Sequence, residues 1–137
     1  MKLFFLNLLV VFFTALFISC NVEGEERLDY YKNQHRSPEL MGWWKRINYL
    51  DVPEKPPYYH FTNFKRFSYQ FNSATGIYSE GFDYWYNDAT TIYLLDAPSP
   101  IAGVSEISFE YSLNSNKDTL TINEANPPTI YVKSQGL

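Results

Sequence analysis

Apolar and polar residues alternate with a period of two along most of the chain after residue 38, as in β-strands that bury one face. The alternation is complete over residues 106–113, where Ile, Phe, Tyr and Leu take the odd positions and Glu and Ser the even ones. Seven further short segments carry a related pattern, and Gly, Pro, Asn and Asp separate them as turn residues. These segments are residues 39–49, 58–61, 67–71, 77–86, 90–95, 118–123 and 129–133.

Eight short strands with mostly hairpin-length connections predict an all-β domain built from antiparallel strands. An up-and-down barrel is the favoured arrangement, because closure removes the unpaired edges that an open meander would leave. A two-sheet β-sandwich is the alternative, since the number of strands fits both architectures. The roughly 117 residues after position 20 are enough for one domain with one hydrophobic core.

Residues 1–20 have the layout of a secretory signal peptide. Lys2 precedes an apolar run from Leu3 to Ile18 that only Asn7 and Thr14 interrupt. A spanning helix needs about 20 apolar residues and usually has charges on both sides, so a transmembrane anchor is the weaker interpretation.

The end of this leader resembles the lipoprotein box of bacteria, in which a small residue precedes a cysteine that is lipidated and becomes the new N-terminus. Ser19 and Cys20 match this pattern, whereas Phe17 stands where leucine is commoner. Cys20 is the only cysteine, so the chain cannot form an internal disulfide. Each buried methylene of an acyl chain contributes about 0.8 kcal/mol, so a multiply acylated Cys20 would hold the protein at a membrane. The resemblance implies a bacterial cell-envelope lipoprotein, with the outer membrane as its expected location.

Residues 21–37 are mostly charged and polar, which predicts a solvated tether between Cys20 and the β domain. Three carboxylates, those of Glu23, Glu25 and Glu26, follow the cysteine closely. This run resembles the acidic export signal of surface lipoproteins in Bacteroidetes-type bacteria. A short helical turn from Arg27 to Gln34, lying across a barrel end, is compatible with the sequence. The predicted organisation is a leader over 1–20, a tether over 21–37 and a β domain over 38–137.

Charge and aromatic content narrow the classes of partner. The chain has 11 basic and 15 acidic side chains, and residues 1–20 hold one of the lysines and none of the acids. The remaining net charge of about −5 argues against a nucleic-acid surface, which needs a basic patch. It also argues against docking on anionic lipid through a polybasic face.

The segment around Gly42, Trp43 and Trp44 resembles the Gly-x-Trp motif in the first strand of lipocalins. Residues 109–113, 118–122 and 131–133 are similar to strand endings of small bacterial lipocalin-like lipoproteins, so the likeness spans residues 39–133. The resemblance implies that Trp44 closes the barrel floor and that a basic side chain from a late strand, here Lys133, packs on its indole. The central Thr-Asp-Tyr motif of classical lipocalins is absent. The sequence therefore leaves two alternatives, a barrel with a ligand cavity and a barrel filled by its own side chains.

No residue pattern signals catalysis, a metal site or a cofactor. The two histidines, His35 and His60, fit no metal-ligand spacing and no nucleophile–base arrangement, and His60 is interpreted as a strand-edge residue. Two pairs of carboxylates, Glu80 with Asp83 and Glu106 with Glu110, are explained by solvated strand faces. The expected protein is not an enzyme.

Aromatic side chains are the candidates for ligand contacts, because concave binding sites are mostly apolar with a few polar groups. In residues 77–86, Trp85 projects from the face opposite Phe82, Tyr84 and Tyr86, so either one set is accessible to a ligand or both faces are buried. The candidate ligand-binding residues are Trp44, Tyr69, Tyr84, Trp85 and Tyr111. The expected function is binding of a small apolar or amphipathic ligand. The alternatives are a structural or assembly lipoprotein that contacts an envelope protein, and a surface module that binds carbohydrate.

Overall fold

The computed structural model describes residues 24–51, 53–96 and 104–137, which form one closed antiparallel barrel. The strands are β1 (Gly42–Arg46), β2 (Tyr58–Phe61), β3 (Lys65–Asn72), β4 (Ile77–Asn87), β5 (Thr91–Asp96), β6 (Ser105–Leu113), β7 (Thr119–Ile122) and β8 (Thr129–Ser134). Each strand pairs with its neighbours in sequence, and β1 pairs with β8 to close the barrel. The predicted up-and-down barrel is confirmed, and the alternative of a two-sheet sandwich is wrong.

The first strand is shorter than the predicted segment of residues 39–49. A 3-10 helix spans Pro38–Leu40, and β1 begins only at Gly42. Pro38 favours the start of such a helix because its ring fixes φ and its nitrogen has no hydrogen to donate to a sheet. The helix places Leu40, which is fully buried, across one end of the barrel.

Three of the hairpin turns are each held by one amide or carboxylate side chain. The Oδ1 atom of Asn72 accepts from the Ala74 amide at 2.9 Å. The Oδ1 atom of Asp88 accepts from the Thr91 amide at 2.7 Å, and Asn114 Oδ1 accepts from two amides of the β6–β7 turn. Asn and Asp favour turns because their side chains bond the backbone a few residues ahead. These residues therefore set the register of their hairpins.

The register sorts side chains between the inner and outer walls. Trp85, Leu94 and Ile107 are paired side by side across β4, β5 and β6, so they share the inner wall. The buried core consists of inward-facing strand residues together with Leu40 of the 3-10 helix. Its members are Leu40, Trp44, Phe61, Trp85, Ile92, Leu94, Tyr111, Leu120, Ile122 and Tyr131.

Residues 24–32 form a helix, α1, which lies on the outer wall of the barrel. Tyr31 is buried, with its ring centre 4.9 Å from that of Tyr86 on β4, and Arg27 forms an ion pair with Glu106 on β6. On the strand between them, Leu95 is fully buried although it faces outward. The segment predicted as a tether with one helical turn across a barrel end thus contributes a longer helix that covers β4 to β6. None of the helices in the described residues is long and apolar enough to cross a membrane.

Arg36 connects the end of α1 to the barrel. Its guanidinium donates to the carbonyl oxygens of Tyr31 and Gln34, near the end of the helix, where carbonyls lack intrahelical partners. The same group lies 5.5 Å from the ring centre of Phe64 and 5.9 Å from that of Trp85. Burial lowers the pKa of Arg36. Arg36 therefore fastens α1 beside the closed end of the barrel.

Candidate functional site

One end of the barrel, which we call the floor, is closed by the indole of Trp44. This side chain is fully buried, and its Nε1 donates to the carbonyl oxygen of Leu40 at 2.8 Å. Lys133 on β8 places its Nζ 4.3 Å from the centre of the indole and donates to the carbonyl oxygen of Met41. Burial lowers the pKa of Lys133. The predicted contact between Lys133 and Trp44 is confirmed.

Gly42 belongs to this floor for a conformational reason. Its φ is +103°, in a region that residues with a Cβ rarely adopt, and a Cβ there would lie 3.8 Å from Lys133 Nζ. The glycine lets the chain turn from the 3-10 helix into β1 with Trp44 directed inward. The Gly-x-Trp motif therefore joins a backbone requirement at Gly42 to a packing requirement at Trp44.

A second indole, that of Trp85 on β4, completes the floor. Trp85 is fully buried, and its Nε1 donates to the carbonyl oxygen of Thr62 at 2.9 Å. Its ring meets that of Phe61 edge to face, with 4.7 Å between ring centres. Both inward-facing tryptophans therefore bury their apolar surface and satisfy their single donor, as buried indoles require.

A buried amide links the floor to the segment after α1. Asn87 donates through Nδ2 to the hydroxyls of Ser37 and Tyr111, both at 2.9 Å, and accepts from the Ser37 amide at 2.8 Å. The Tyr111 hydroxyl in turn donates to the carbonyl oxygen of Asp88. A fully bonded network of this kind fixes geometry, because each unpaired buried member would be costly.

At the opposite end, which we call the mouth, inward-facing residues become exposed. Along β6 they pass from buried Tyr111 through half-buried Phe109 to Ile107, which is 56% exposed. Along β4, Trp85 is fully buried, whereas Ile77 lies at the tip of the β3–β4 hairpin, beyond the part of β4 that pairs with β5, and is 64% exposed. Inward-facing side chains are thus buried at the floor and exposed toward the mouth.

Polar side chains form a belt on the inner wall between floor and mouth, made of Arg46, Tyr59, Arg66, Asp83 and Tyr131. Arg66 forms an ion pair with Asp83, its partner in the β3–β4 ladder, and its guanidinium lies 4.4 Å from the centre of the Tyr59 ring. Tyr59 stacks on Tyr131 at 4.7 Å, and Tyr131 is paired with Arg46 across β8 and β1. Burial raises the pKa of Tyr131 well above its ordinary value, so its hydroxyl stays neutral.

The outer wall carries a different set of rings, the outer aromatic band, on β1 to β4. Trp43 stacks on His60 with 4.3 Å between ring centres, and Tyr69 lies 5.2 Å from Trp43. Burial lowers the pKa of His60. The interpretation of His60 as a strand-edge residue is wrong, because β2 is paired on both sides. The members of the band are Trp43, His60, Phe67, Tyr69, Phe82 and Tyr84.

The structure divides the five candidate ligand residues between the two walls. Trp44, Trp85 and Tyr111 come together at the floor and are buried. Tyr69 and Tyr84 lie outside, where burial, followed by a hydrogen bond to Glu80, raises the pKa of Tyr69 to about 12. No single interior ligand can touch both groups.

The sequence interpretation missed the charged members of the inner belt. Its placement of Asp83 on a solvated strand face is wrong, because Asp83 faces inward and pairs with Arg66. Alternation already places Arg46 on the face of Trp44 and Asp83 on the face of Trp85. That signal identifies inward-facing charges once the tryptophans are known to point inward. Pairing of Arg66 with Asp83 depends on the register between β3 and β4, which the sequence does not state.

An eight-stranded antiparallel barrel with an indole floor under a late-strand cation is a lipocalin-like barrel. The chain is similar to a lipocalin-like protein from Bacteroides uniformis, with a TM-score of 0.52 and 15% identity over 70% of this chain and 99% of that one. It is also similar to an uncharacterized protein from Bacteroides eggerthii, with a TM-score of 0.49 and 15% identity over 69% of this chain and 98% of that one. No protein-family model and no curated protein matches the sequence. The first likeness agrees with the lipocalin-like fold that the motifs predicted.

Proposed function

We propose that this chain is a lipid-anchored, non-catalytic protein of the bacterial cell envelope that holds a small apolar or amphipathic ligand inside its barrel. The observation that carries the proposal is the change in exposure along the inner wall. Leu94 on β5 is fully buried, whereas its β6 partner Ile107 is 56% exposed. Ile107 lies where β6 extends past its paired segment with β7, so its apolar side chain borders the open end of the barrel. Eight-stranded barrels have room for one small ligand.

The chemistry near the mouth fits such a ligand. Ile107 and Phe109 on β6 supply apolar surface, and Ser68 supplies a hydroxyl on the inner wall of β3. Opposite Ser68, Gly81 leaves the wall without a side chain. Apolar surface with a few polar groups is the usual lining of a small-molecule site.

Native mass spectrometry of residues 21–137, which retain every described strand and helix, tests the proposal. We expect a mass excess that disappears when the protein is denatured. Ile107→Trp should reduce the bound fraction by filling the mouth, whereas Ser108→Trp, on the outer wall of the same strand, should leave it unchanged. If the folded wild-type protein has the mass of the polypeptide alone and binds no added apolar dye, an interior ligand is contradicted.

The anchor is a separate part of the proposal. Cys20 and the rest of the leader lie outside the described residues, so support comes from the lipoprotein-box resemblance of the sequence. The full chain should incorporate a fatty-acid probe in bacterial cells, and Cys20→Ala should abolish the label and leave an unprocessed precursor. Labelling that survives Cys20→Ala would refute the anchor and leave the ligand proposal standing.

Carbohydrate binding by the outer aromatic band is the second candidate. Phe82 in this band is 41% exposed, and exposed rings on a sheet face offer stacking surfaces. Retardation of the protein on a glycan matrix that Phe82→Thr removes would support this candidate. If the protein is not retarded, carbohydrate binding is contradicted. The outer aromatic band would then contact a protein partner or serve only a structural role.

A further inference from the structure

We propose that the barrel ligand is an anionic amphiphile whose acidic oxygens are held by Arg66 and Arg46, with its apolar part directed toward the mouth. This inference rests on the proposed function, because it names the class of ligand for the same interior site. The acidic group can be a carboxylate or a phosphate, since guanidinium groups bind both through parallel N–H donors.

Arg66 carries the argument because it is buried and incompletely bonded. The residue is 8% exposed, and its guanidinium donates through one nitrogen, Nη2, to Oδ2 of Asp83. Its Nε is buried and has no hydrogen-bond partner among the described residues. A buried N–H without an acceptor is unfavourable, so an oxygen supplied from inside the barrel would complete its bonding.

Arg46 supplies the excess of positive charge. It faces the interior from β1, opposite Tyr131, and its guanidinium lies 5.3 Å from the centre of the Tyr49 ring. No Asp or Glu of the described residues lies within ion-pair distance of Arg46, and its Nε is also buried without a partner there. The belt therefore combines two guanidinium groups with the single carboxylate of Asp83.

The other polar groups near the belt are two tyrosines and two carboxylates. The tyrosines Tyr59 and Tyr131 stand between the two arginines, and their hydroxyls can donate to acidic oxygens. Glu124 is the opposing charge, close enough to raise the pKa of Tyr131, and Asp96 lies at the mouth end of the inner wall. Neither forms an ion pair with Arg46 or Arg66 among the described residues.

The direction of the ligand follows from the two ends of the barrel. The floor beyond the belt is occupied by the fully buried side chains of Trp44 and Trp85. On the other side, Phe109 and Ile107 offer apolar surface that is increasingly exposed. A ligand whose acidic group binds at the belt therefore lies with its apolar chain directed toward the mouth.

Displacement of the neutral dye N-phenylnaphthylamine from residues 21–137 tests the inference with dodecanoate, dodecanol, dodecylammonium and inorganic phosphate. We expect dodecanoate to bind at least about tenfold more tightly than dodecanol, a difference of about 1.4 kcal/mol. Dodecylammonium should bind more weakly than dodecanol, and phosphate should not displace the dye.

Three variants test which side chains bind the acidic group of the ligand. Arg46→Gln should reduce the affinity for dodecanoate about tenfold, which corresponds to about 1.4 kcal/mol, and should change the affinity for dodecanol less than threefold. The paired variant Arg66→Gln with Asp83→Asn should do the same without leaving a lone buried carboxylate. Lys45→Gln removes the cation of the residue that precedes Arg46 in β1 and faces the outer wall. This control variant should leave every affinity unchanged.

The outcomes separate this inference from the proposed function. Equal displacement by dodecanoate and dodecanol would overturn the anionic ligand and leave an interior ligand site standing. Displacement by phosphate alone would overturn the amphiphile and identify a site for small anions. If the dye and all amphiphiles fail to bind the folded protein, both proposals are overturned.

Discussion

The floor and the outer aromatic band contain the same kinds of residue and use them differently. At the floor, Trp44 and Trp85 are fully buried, and each indole N–H donates to a backbone carbonyl. In the band, neighbouring Trp43 lies flat against His60 and remains half-buried. Trp43 and Trp44 are adjacent in sequence, yet a single step along β1 moves the side chain from one wall to the other.

The difference shows how strand alternation assigns roles in a chain rich in aromatics. A side chain on the inner wall is enclosed by the whole barrel, whereas one on the outer wall meets only its neighbours on adjacent strands. Stability should therefore depend on the floor far more than on the band. Binding chemistry is divided in the same way, with charges on the inner wall and stacked rings outside.

The largest effect is expected when the floor loses its first indole. Trp44→Ala should lower the free energy of unfolding by about 3–5 kcal/mol, because it leaves a cavity in the barrel and removes the contact with Lys133. Trp43→Ala, the matched change on the outer wall, should cost about 1–2.5 kcal/mol, because a half-buried ring loses part of its burial and its stacking on His60. Urea unfolding followed by circular dichroism measures both. Similar losses for the two variants would refute the division between floor and band.

The second effect tests whether α1 belongs to the folded domain. Tyr31→Ala should lower the free energy of unfolding by about 2–4 kcal/mol, because it removes a buried ring from the contact with Tyr86. Tyr30 precedes it and is 53% exposed, so Tyr30→Ala should cost less than about 1 kcal/mol. If Tyr31→Ala unfolds at the wild-type urea concentration, residues 24–32 act as a tether after all.

A smaller effect is expected from the buried amide beside the floor. Asn87→Ala should cost about 1–3 kcal/mol, because the Ser37 amide and the Tyr111 hydroxyl lose their buried partner. Tyr111→Phe removes the hydroxyl from the other side. The double variant should cost less than the sum of the single losses, and strict additivity would show that the two side chains do not interact.

The smallest effect is a pH dependence confined to the outer aromatic band. Because burial lowers the pKa of His60, the unfolded chain binds a proton first, and stability falls as the pH drops below about 6.5. Protonation of His60 should also change the fluorescence of Trp43, which it stacks on.

A fluorescence titration of the wild-type protein between pH 7 and pH 5 measures this change. His60→Gln should remove it, and so should Trp43→Phe, while Trp44 and Trp85 continue to emit. A pH-dependent signal that persists in Trp43→Phe would assign it to another part of the protein.

Much of the architecture follows from local patterns that the sequence states directly. Alternation in residues 106–113 identified β6, and turn residues such as Asn72 and Asp88 marked the hairpins. The Gly-x-Trp motif led to the floor and to Lys133 as its cation. The strand and the hairpins depend on near neighbours in sequence, so they were predictable, whereas the contact of Lys133 with Trp44 followed from the resemblance to lipocalins.

The sequence by itself determined the strands, their order and which residues share a face, because successive side chains of a strand point to opposite faces. Tertiary structure alone decided which face became the interior and how deeply each residue was buried, as the contrast between Trp85 and Ile107 on the inner wall shows. It also decided that α1 covers β4 to β6 and that Arg66 meets Asp83. These outcomes depend on barrel closure and inter-strand register, which join residues far apart in the chain and leave no local pattern.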